Sequence, residues 1–274
     1  MTIDAHIHLW QYHPVKDAWI TDDMKIIQRD FMPGDLKHIL HENKTEGCIA
    51  VQADQSEEET NFLLQCAMDN DCIKGVVGWI DLRADNLEER LHHFSQHKKL
   101  KGFRHILQAE ADGFLLNGKF IDGVKLLHKY NFTYDILIAS RQLTEAAEFV
   151  QRFPAQKLII DHCAKPDIKN GEIKKWSQLM KEIALHENVY CKLSGLFTEA
   201  DWKHWKADDL YPYLDVVFEA FGTKRLLFGS DWPVILLAGQ YSQWKELLEK
   251  YMQAFTVQER EAVFGGNAVR VYNL

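Results

Sequence analysis

The strongest constraint on this chain is a series of eight short apolar, β-rich runs, at residues 3–9, 48–53, 75–80, 102–106, 133–138, 158–162, 189–193 and 226–229. Their starts lie 25 to 45 residues apart. Each gap has room for one crossover helix and two loops, which parallel pairing requires. The gaps read as helices. Ser56 and Glu59 form a capping box ahead of Phe62, Leu63 and Ala67. Thr256 and Glu259 repeat it before a last helix expected to stop near Gly265 and Gly266. Asp35, Asp85, Ser140 and Asp209 stand at the starts of others. Strands alternating with helices predict an α/β chain, a closed (β/α)8 TIM barrel spanning residues 1–274 as one domain. An open doubly wound sheet is the alternative, but the first run ends in His-Leu-Trp, where such a sheet carries a glycine-rich turn. The long segment 10–34 would lie at the barrel mouth, placed to act as a lid.

Composition narrows the function. Lysine and arginine total 32 against 40 acidic residues, a net charge of −8. This argues against a general binder of nucleic acid or anionic membranes. The cysteines at 48, 66, 72, 163 and 191 show no C-x-x-C spacing, so they read as reduced thiols of a cytoplasmic protein. No signal peptide fits the start, and no apolar stretch reaches ~18 residues.

His6 and His8 stand two apart on the first strand, so both project to one face. Ala5, Ile7 and Leu9 suit the helix-facing side. Two imidazoles inside a barrel are costly unless partnered, which favours a functional pair. His162 ends the sixth run and is expected to face the mouth. Its neighbour Asp161 should then point the other way, as a helix-side partner or cap. Asp231 follows the eighth run, where barrel enzymes keep a general base. Arg104 and His105 in the fourth run, Asp135 in the fifth and Lys192 in the seventh are substrate contacts or members of an internal ion-pair network. No G-x-S-x-G elbow and no Walker loop occurs.

Six blocks carry a resemblance. They are Asp-Ala-His-Ile-His-Leu-Trp at 4–10, Gly-Phe-Arg-His-Ile-Leu-Gln at 102–108, Asp-His-Cys-Ala-Lys-Pro at 161–166, Tyr-Cys-Lys-Leu-Ser-Gly-Leu at 190–196, Phe-Gly-Ser-Asp-Trp-Pro-Val at 228–234 and Gly-Gly-Asn-Ala-Val-Arg at 265–270. In this order and spacing the chain resembles the amidohydrolase superfamily, in its branch of L-fucono- and L-rhamnonolactonases and 2-pyrone-4,6-dicarboxylate hydrolases. The resemblance implies an active-site set of His6, His8, His162 and Asp231, with Arg104 at the substrate. Two-metal members bridge their ions with a lysine or glutamate on the fourth strand. Arg104 and His105 stand there in this chain. The resemblance therefore implies no obligatory cofactor and at most one divalent metal, zinc, on the same four residues.

The reaction expected is opening of a sugar-acid lactone to the free acid. Asp231 would take a proton from the attacking water while the imidazoles steady the oxyanion. Arg104, His105, Lys192 and Asp135, with the rings of Trp10, Trp19 and Trp232, would hold the sugar. Metal-dependent nonoxidative decarboxylation and a sugar-acid-binding barrel without turnover are the alternatives. The expected partner is a small-molecule lactone, with oligomeric state left open.

Overall fold

The structure is a computed structural model describing all 274 residues, Met1–Leu274. All eight runs form strands: β1 Ile3–Ile7, β2 Gly47–Val51, β3 Ile73–Gly78, β4 Leu100–His105, β5 Thr133–Ile136, β6 Leu158–Ile160, β7 Val189–Leu193 and β8 Leu226–Phe228. They pair in parallel, in sequence order. The ring closes where the chain leaving β8 runs beside β1. Asp231 N donates to His6 O at 2.9 Å, and His8 N donates to Trp232 O at 2.7 Å. The predicted barrel is therefore what forms, with helices such as Pro33–Glu42, Glu57–Asp69 and Ala207–Phe221 outside it.

Alternation along each strand sorts its residues. Ile7, Ala50, Val76, Phe103, Ile160 and Phe228 join the large core between strands and helices. Ile3, Ala5, Ile49, Val51, Val77, Ile159 and Leu227 fill the barrel interior, closed below by Ala268, Val271 and Tyr272. Each of the larger aliphatic groups contributes about 1.5–3 kcal/mol by leaving water. Ala5 thus faces inward, against expectation. The pairing of β1 with β2 slips between Asp4 and Ile7. This irregularity lets Ala5 and His6 both turn into the barrel.

The helix starts follow capping chemistry with local differences. Ser56 and Thr256 each accept from a backbone N–H three residues on, as expected. Asp35 and Asp209 instead sit inside the first turn and reach back to the N–H groups of Met32 and Lys206. Asn86, not Asp85, precedes the helix Leu87–Phe94, and Ser140 opens a single 3-10 turn before Leu143–Gln151. Gly265 and Gly266 do not end the last helix. They form a wide π turn, and the helix resumes over Asn267–Tyr272. Gly265 is needed for contact: a Cβ there would lie 2.4 Å from the Met1 carbonyl oxygen. No helix is long and apolar enough to cross a membrane.

Candidate active site

Each member of the site is fixed by a specific piece of backbone. Asp4 accepts from the N–H groups of His6 and Ser230 at 3.0 Å each. This ties the irregularity in β1 to the turn that carries Asp231. His8 Nδ1 donates to the Val51 carbonyl at 2.8 Å, which sets its ring.

The chain around His162 departs from simple alternation. Ile159 is inward and Ile160 outward, so Asp161 takes the next inward position. His162, Cys163, Ala164 and Lys165 then form a left-handed turn, with φ of 51°, 51°, 56° and 47°. That turn swings His162 back to the mouth, so Asp161 and His162 both face the interior. The helix-side position expected for Asp161 is wrong for this reason. Left-handed backbone costs non-glycine residues roughly 1–2 kcal/mol apiece, strain of a kind that concentrates at functional sites. Ser194 Oγ, 2.9 Å from His162 Nδ1, holds the ring where the turn delivers it.

Gly195 leaves room for that ring. Its φ is 69°, and a Cβ there would lie 2.8 Å from His162 Cβ and 2.9 Å from ring Nδ1. Gly195→Ala is expected to displace His162 and lower kcat on the order of 100-fold, the cost of a shift near 1 Å. Gly171→Ala is the control. Gly171 has a φ of 71° but nothing within 4 Å of a Cβ, so it pays the backbone strain alone and should keep its kcat.

Asp231 Oδ1 is the centre of the cluster. It lies 3.3 Å from His8 Nε2, 3.8 Å from His6 Nε2 and 3.9 Å from His162 Nε2. It is buried and has no hydrogen-bond partner. Burial works against its charge, but His162, His8 and His6 together hold its carboxyl well below the usual range. Burial pushes His162 down to about 4. Burial and the Lys192 ammonium push His6 well below 6.5. At neutral pH the site therefore sets a carboxylate beside the uncharged rings of His6 and His162.

The His162 shift predicts an acid weakness. The unfolded imidazole binds its proton near pH 6.5 and the folded one only near 4. The unfolded state therefore gains protons first as pH falls, and stability drops across that window. The full loss between pH 7 and 4 is about 3 kcal/mol. Urea midpoints measured from pH 7 to 4 should fall less steeply in His162→Gln than in the wild-type protein.

Beneath the cluster lies a closed ion network. Lys192 Nζ stands 2.5 Å from Asp135 Oδ2 and 2.9 Å from Asp161 Oδ1. Arg104 Nη1 donates to Asp161 Oδ2 at 3.0 Å, and its Nη2 donates to the Gln52 carbonyl. Tyr272 OH donates to Asp135 at 2.7 Å. Burial opposes the charge of Asp161, yet Lys192, His6 and Arg104 keep it well below the usual carboxylate range.

Above the cluster is a cavity of about 290 Å³, lined among others by His8, His162, Asp231, Arg104, Trp19, Gln55, Gln108 and Lys165. Of the residues expected at the substrate, Arg104 and Trp19 reach this wall and five do not. His105 alternates outward from Arg104, stacks on Phe114 and pairs with Glu110 at 2.9 Å. Trp10 is buried in segment 10–34, its indole N–H donating to the Arg29 carbonyl, and Trp232 packs edge-on against Phe31. Lys192 and Asp135 have no exposed side-chain surface and serve the internal network. His6 belongs to the cluster but is wholly buried behind it.

Sequence reasoning missed Lys165, Ser194, Gln55 and Gln108. Lys165 and Ser194 lie within the blocks at 161–166 and 190–196, so their signal was present but tied to no chemistry. Gln108 likewise ends the block at 102–108, in a single 3-10 turn, while Gln55 is a loop residue with no periodic or motif signal.

The donor set fits one metal ion. His6, His8 and Asp231 offer ligand atoms within 4.8 Å of one another, and His6, Asp161 and His162 form an overlapping group. The unpartnered Asp231 oxygen facing three ring nitrogens is the specific feature that a cation would satisfy.

Comparisons with known proteins agree with the family resemblance and the barrel fold. A family model described as amidohydrolase matches residues 3–274. L-fucono-1,5-lactonase of Burkholderia multivorans is 41% identical, covering 100% of this chain and 96% of its own. L-fucono-1,5-lactonase of Burkholderia ambifaria is 35% identical, covering 99% and 95%. A crystal structure of an amidohydrolase from Burkholderia multivorans with bound zinc superposes with a TM-score of 0.97 at 40% identity, covering 100% of this chain and 99% of that one.

Proposed function

The chain belongs to the amidohydrolase family, and from that premise we propose that it opens a sugar-acid lactone of the L-fucono-1,5-lactone kind to the free acid. Two relatives that span it end to end bear that lactonase name. One structural observation carries the reading: Asp231 and Arg104 both line the cavity, and each keeps a buried polar atom, Oδ1 and Nε, without a hydrogen-bond partner. A carboxylate and a guanidinium on one cavity wall suit a water and a lactone carbonyl.

Asp231 is the general base. Kept ionised by its neighbours, it takes a proton from water as that water attacks the lactone carbonyl, assistance worth about 10²–10⁴ in rate. Negative charge gathers on the carbonyl oxygen. The Arg104 guanidinium offers it a fixed cationic donor, an effect of roughly 3–4 kcal/mol when aimed. Collapse of the adduct breaks the ring C–O bond, and the proton held by Asp231 passes to the departing ring oxygen. Trp19 offers a face to the sugar ring, while Lys165, Gln55 and Gln108 offer groups for its hydroxyls. Segment 10–34, which carries Trp19, covers the mouth as a lid. A zinc ion on His6, His8, His162 and Asp231 would supply carbonyl polarisation and a more acidic water.

A panel of sugar lactones followed with a pH indicator tests the reading, because each opening at neutral pH releases a proton. L-fucono-1,5-lactone is expected to open faster than in buffer alone. Buffer rates across the whole panel would reject it.

A further inference from the structure

We propose that His105 is a positioning residue for the sugar: as a strut between Trp79 and Glu110 it pins the short turn that sets Gln108 and Ala109 on the cavity wall. His105 is the last residue of β4, and its side chain is buried on the side away from the cavity. Its two ring nitrogens have partners of opposite kind. The Trp79 indole N–H, which can only donate, stands 3.3 Å from Nδ1. Nδ1 therefore accepts, and the ring proton lies on Nε2. Nε2 is 2.9 Å from Glu110 Oε1, a carboxylate oxygen that accepts it. A doubly protonated ring would set two donors face to face at Trp79. Burial agrees, holding the ring below its ordinary value against the pull of Glu110. Phe114 stacks on the ring with centroids 4.8 Å apart, and Phe120 meets it edge-on at 5.7 Å, so the strut keeps one orientation.

The strut matters because of what lies between its ends. β4 runs through Ile106 into the single 3-10 turn Leu107–Ala109, and Glu110 closes that turn. A turn of three residues has little stability of its own. Its entry is held by two side chains: Gln55 Oε1 accepts from Ile106 N at 2.7 Å, and Gln142 Nε2 donates to the Leu107 carbonyl at 2.7 Å. In the middle, Gln108 N donates to the Leu137 carbonyl at 3.0 Å. The exit is held by His105 and by Arg141, whose Nη2 donates to the Gln108 and Glu110 carbonyls at 3.1 and 3.3 Å. Arg141 is half exposed, so water competes for its bonds. The His105 ring is shielded from water, and its bond carries that end. Gln108 and Ala109 line the cavity between the two ends. Losing the strut frees the exit of the turn and lets Gln108 drift from the place where it meets a sugar hydroxyl.

The inference rests on the proposed hydrolase for its kinetic readout, and amide exchange supplies one that needs no substrate. His105→Phe keeps the ring packing and loses both bonds. Its KM for L-fucono-1,5-lactone should rise about 3–10-fold, the worth of one hydrogen bond, with kcat little changed. His105→Gln can still accept from Trp79 and donate to Glu110, and should bring KM back near the wild-type value. Glu110→Ala changes a partly exposed side chain, keeps the fold, and should match His105→Phe. The backbone amides of Gln108, Ala109 and Glu110 should exchange hydrogen for deuterium roughly 10-fold faster in His105→Phe and Glu110→Ala than in the wild type. A wild-type protein without lactonase activity would end the hydrolase reading and leave the exchange rates to decide this one. A KM within about twofold of wild type in both variants, or unchanged exchange at the three amides, would overturn the strut. So would a KM that His105→Gln leaves as high as His105→Phe does.

Discussion

Asp231→Asn is expected to lower kcat by at least 10²–10⁴-fold, with the melting temperature near that of the wild type and little change in KM. The amide keeps the shape of the carboxylate but cannot take a proton from water. Trp19, Lys165, Gln55 and Gln108 also line the cavity, so ground-state binding through them should survive. An interaction made only in the transition state lowers kcat and kcat/KM together, and that is the expected pattern. The fold should survive because Asp231 Oδ1 makes no hydrogen bond that the substitution would remove. The contacts that close the barrel at this residue are made by its backbone. Steady-state kinetics on L-fucono-1,5-lactone measure the effect, and a kcat within about fivefold of wild type would end the assignment of Asp231 as base.

Asp161→Ala is expected to cost the most stability, about 3–5 kcal/mol. Asp161 is the carboxylate shared by Arg104 and Lys192, at 3.0 and 2.9 Å. None of the three has appreciable exposure. The network now holds two cations, Arg104 and Lys192, and two anions, Asp135 and Asp161. Removing one anion leaves a buried cation without compensation, which the barrel interior cannot hydrate. For a domain of this size the loss corresponds to roughly 5–9 °C in Tm. Urea unfolding checks it, and an unchanged midpoint would show that the network is not holding charge. Activity should fall as well, because Arg104 would lose the partner that aims it.

The fold was readable because it rests on patterns that survive without coordinates. Eight β-rich runs with helix-sized gaps admit few closures, and all eight became strands. The cluster of His6, His8, His162 and Asp231 was readable for the same reason, since strand ends in a closed barrel must meet at one rim. The substrate wall was much less so. His105 and Arg104 are neighbours in one strand, and a single step of alternation sends one to the helices and the other to the cavity. The tryptophans of the early loop look alike in sequence, yet only Trp19 escapes the packing that buries Trp10. Asp161 was misplaced because alternation was carried one residue past the end of β6. The chain had by then entered a left-handed turn that nothing in Asp-His-Cys-Ala-Lys announces. Lys192 and Asp135 could be named as charged interior residues, but whether they meet substrate or each other depends on depth along the barrel. Sequence periodicity does not encode depth.

The carbonyl of a sugar lactone is expected to come to rest between Asp231 and Arg104. The most direct measurement is a crystal structure of the protein with a sugar lactam, whose ring and carbonyl mimic the lactone but resist opening. The lactam oxygen is expected on Arg104 and the carbonyl carbon one water from the Asp231 carboxylate, about 3 Å from that water, with the ring against Trp19. A lactam seated in the same cavity with its carbonyl turned away from Asp231, or bound elsewhere on the barrel, would contradict it.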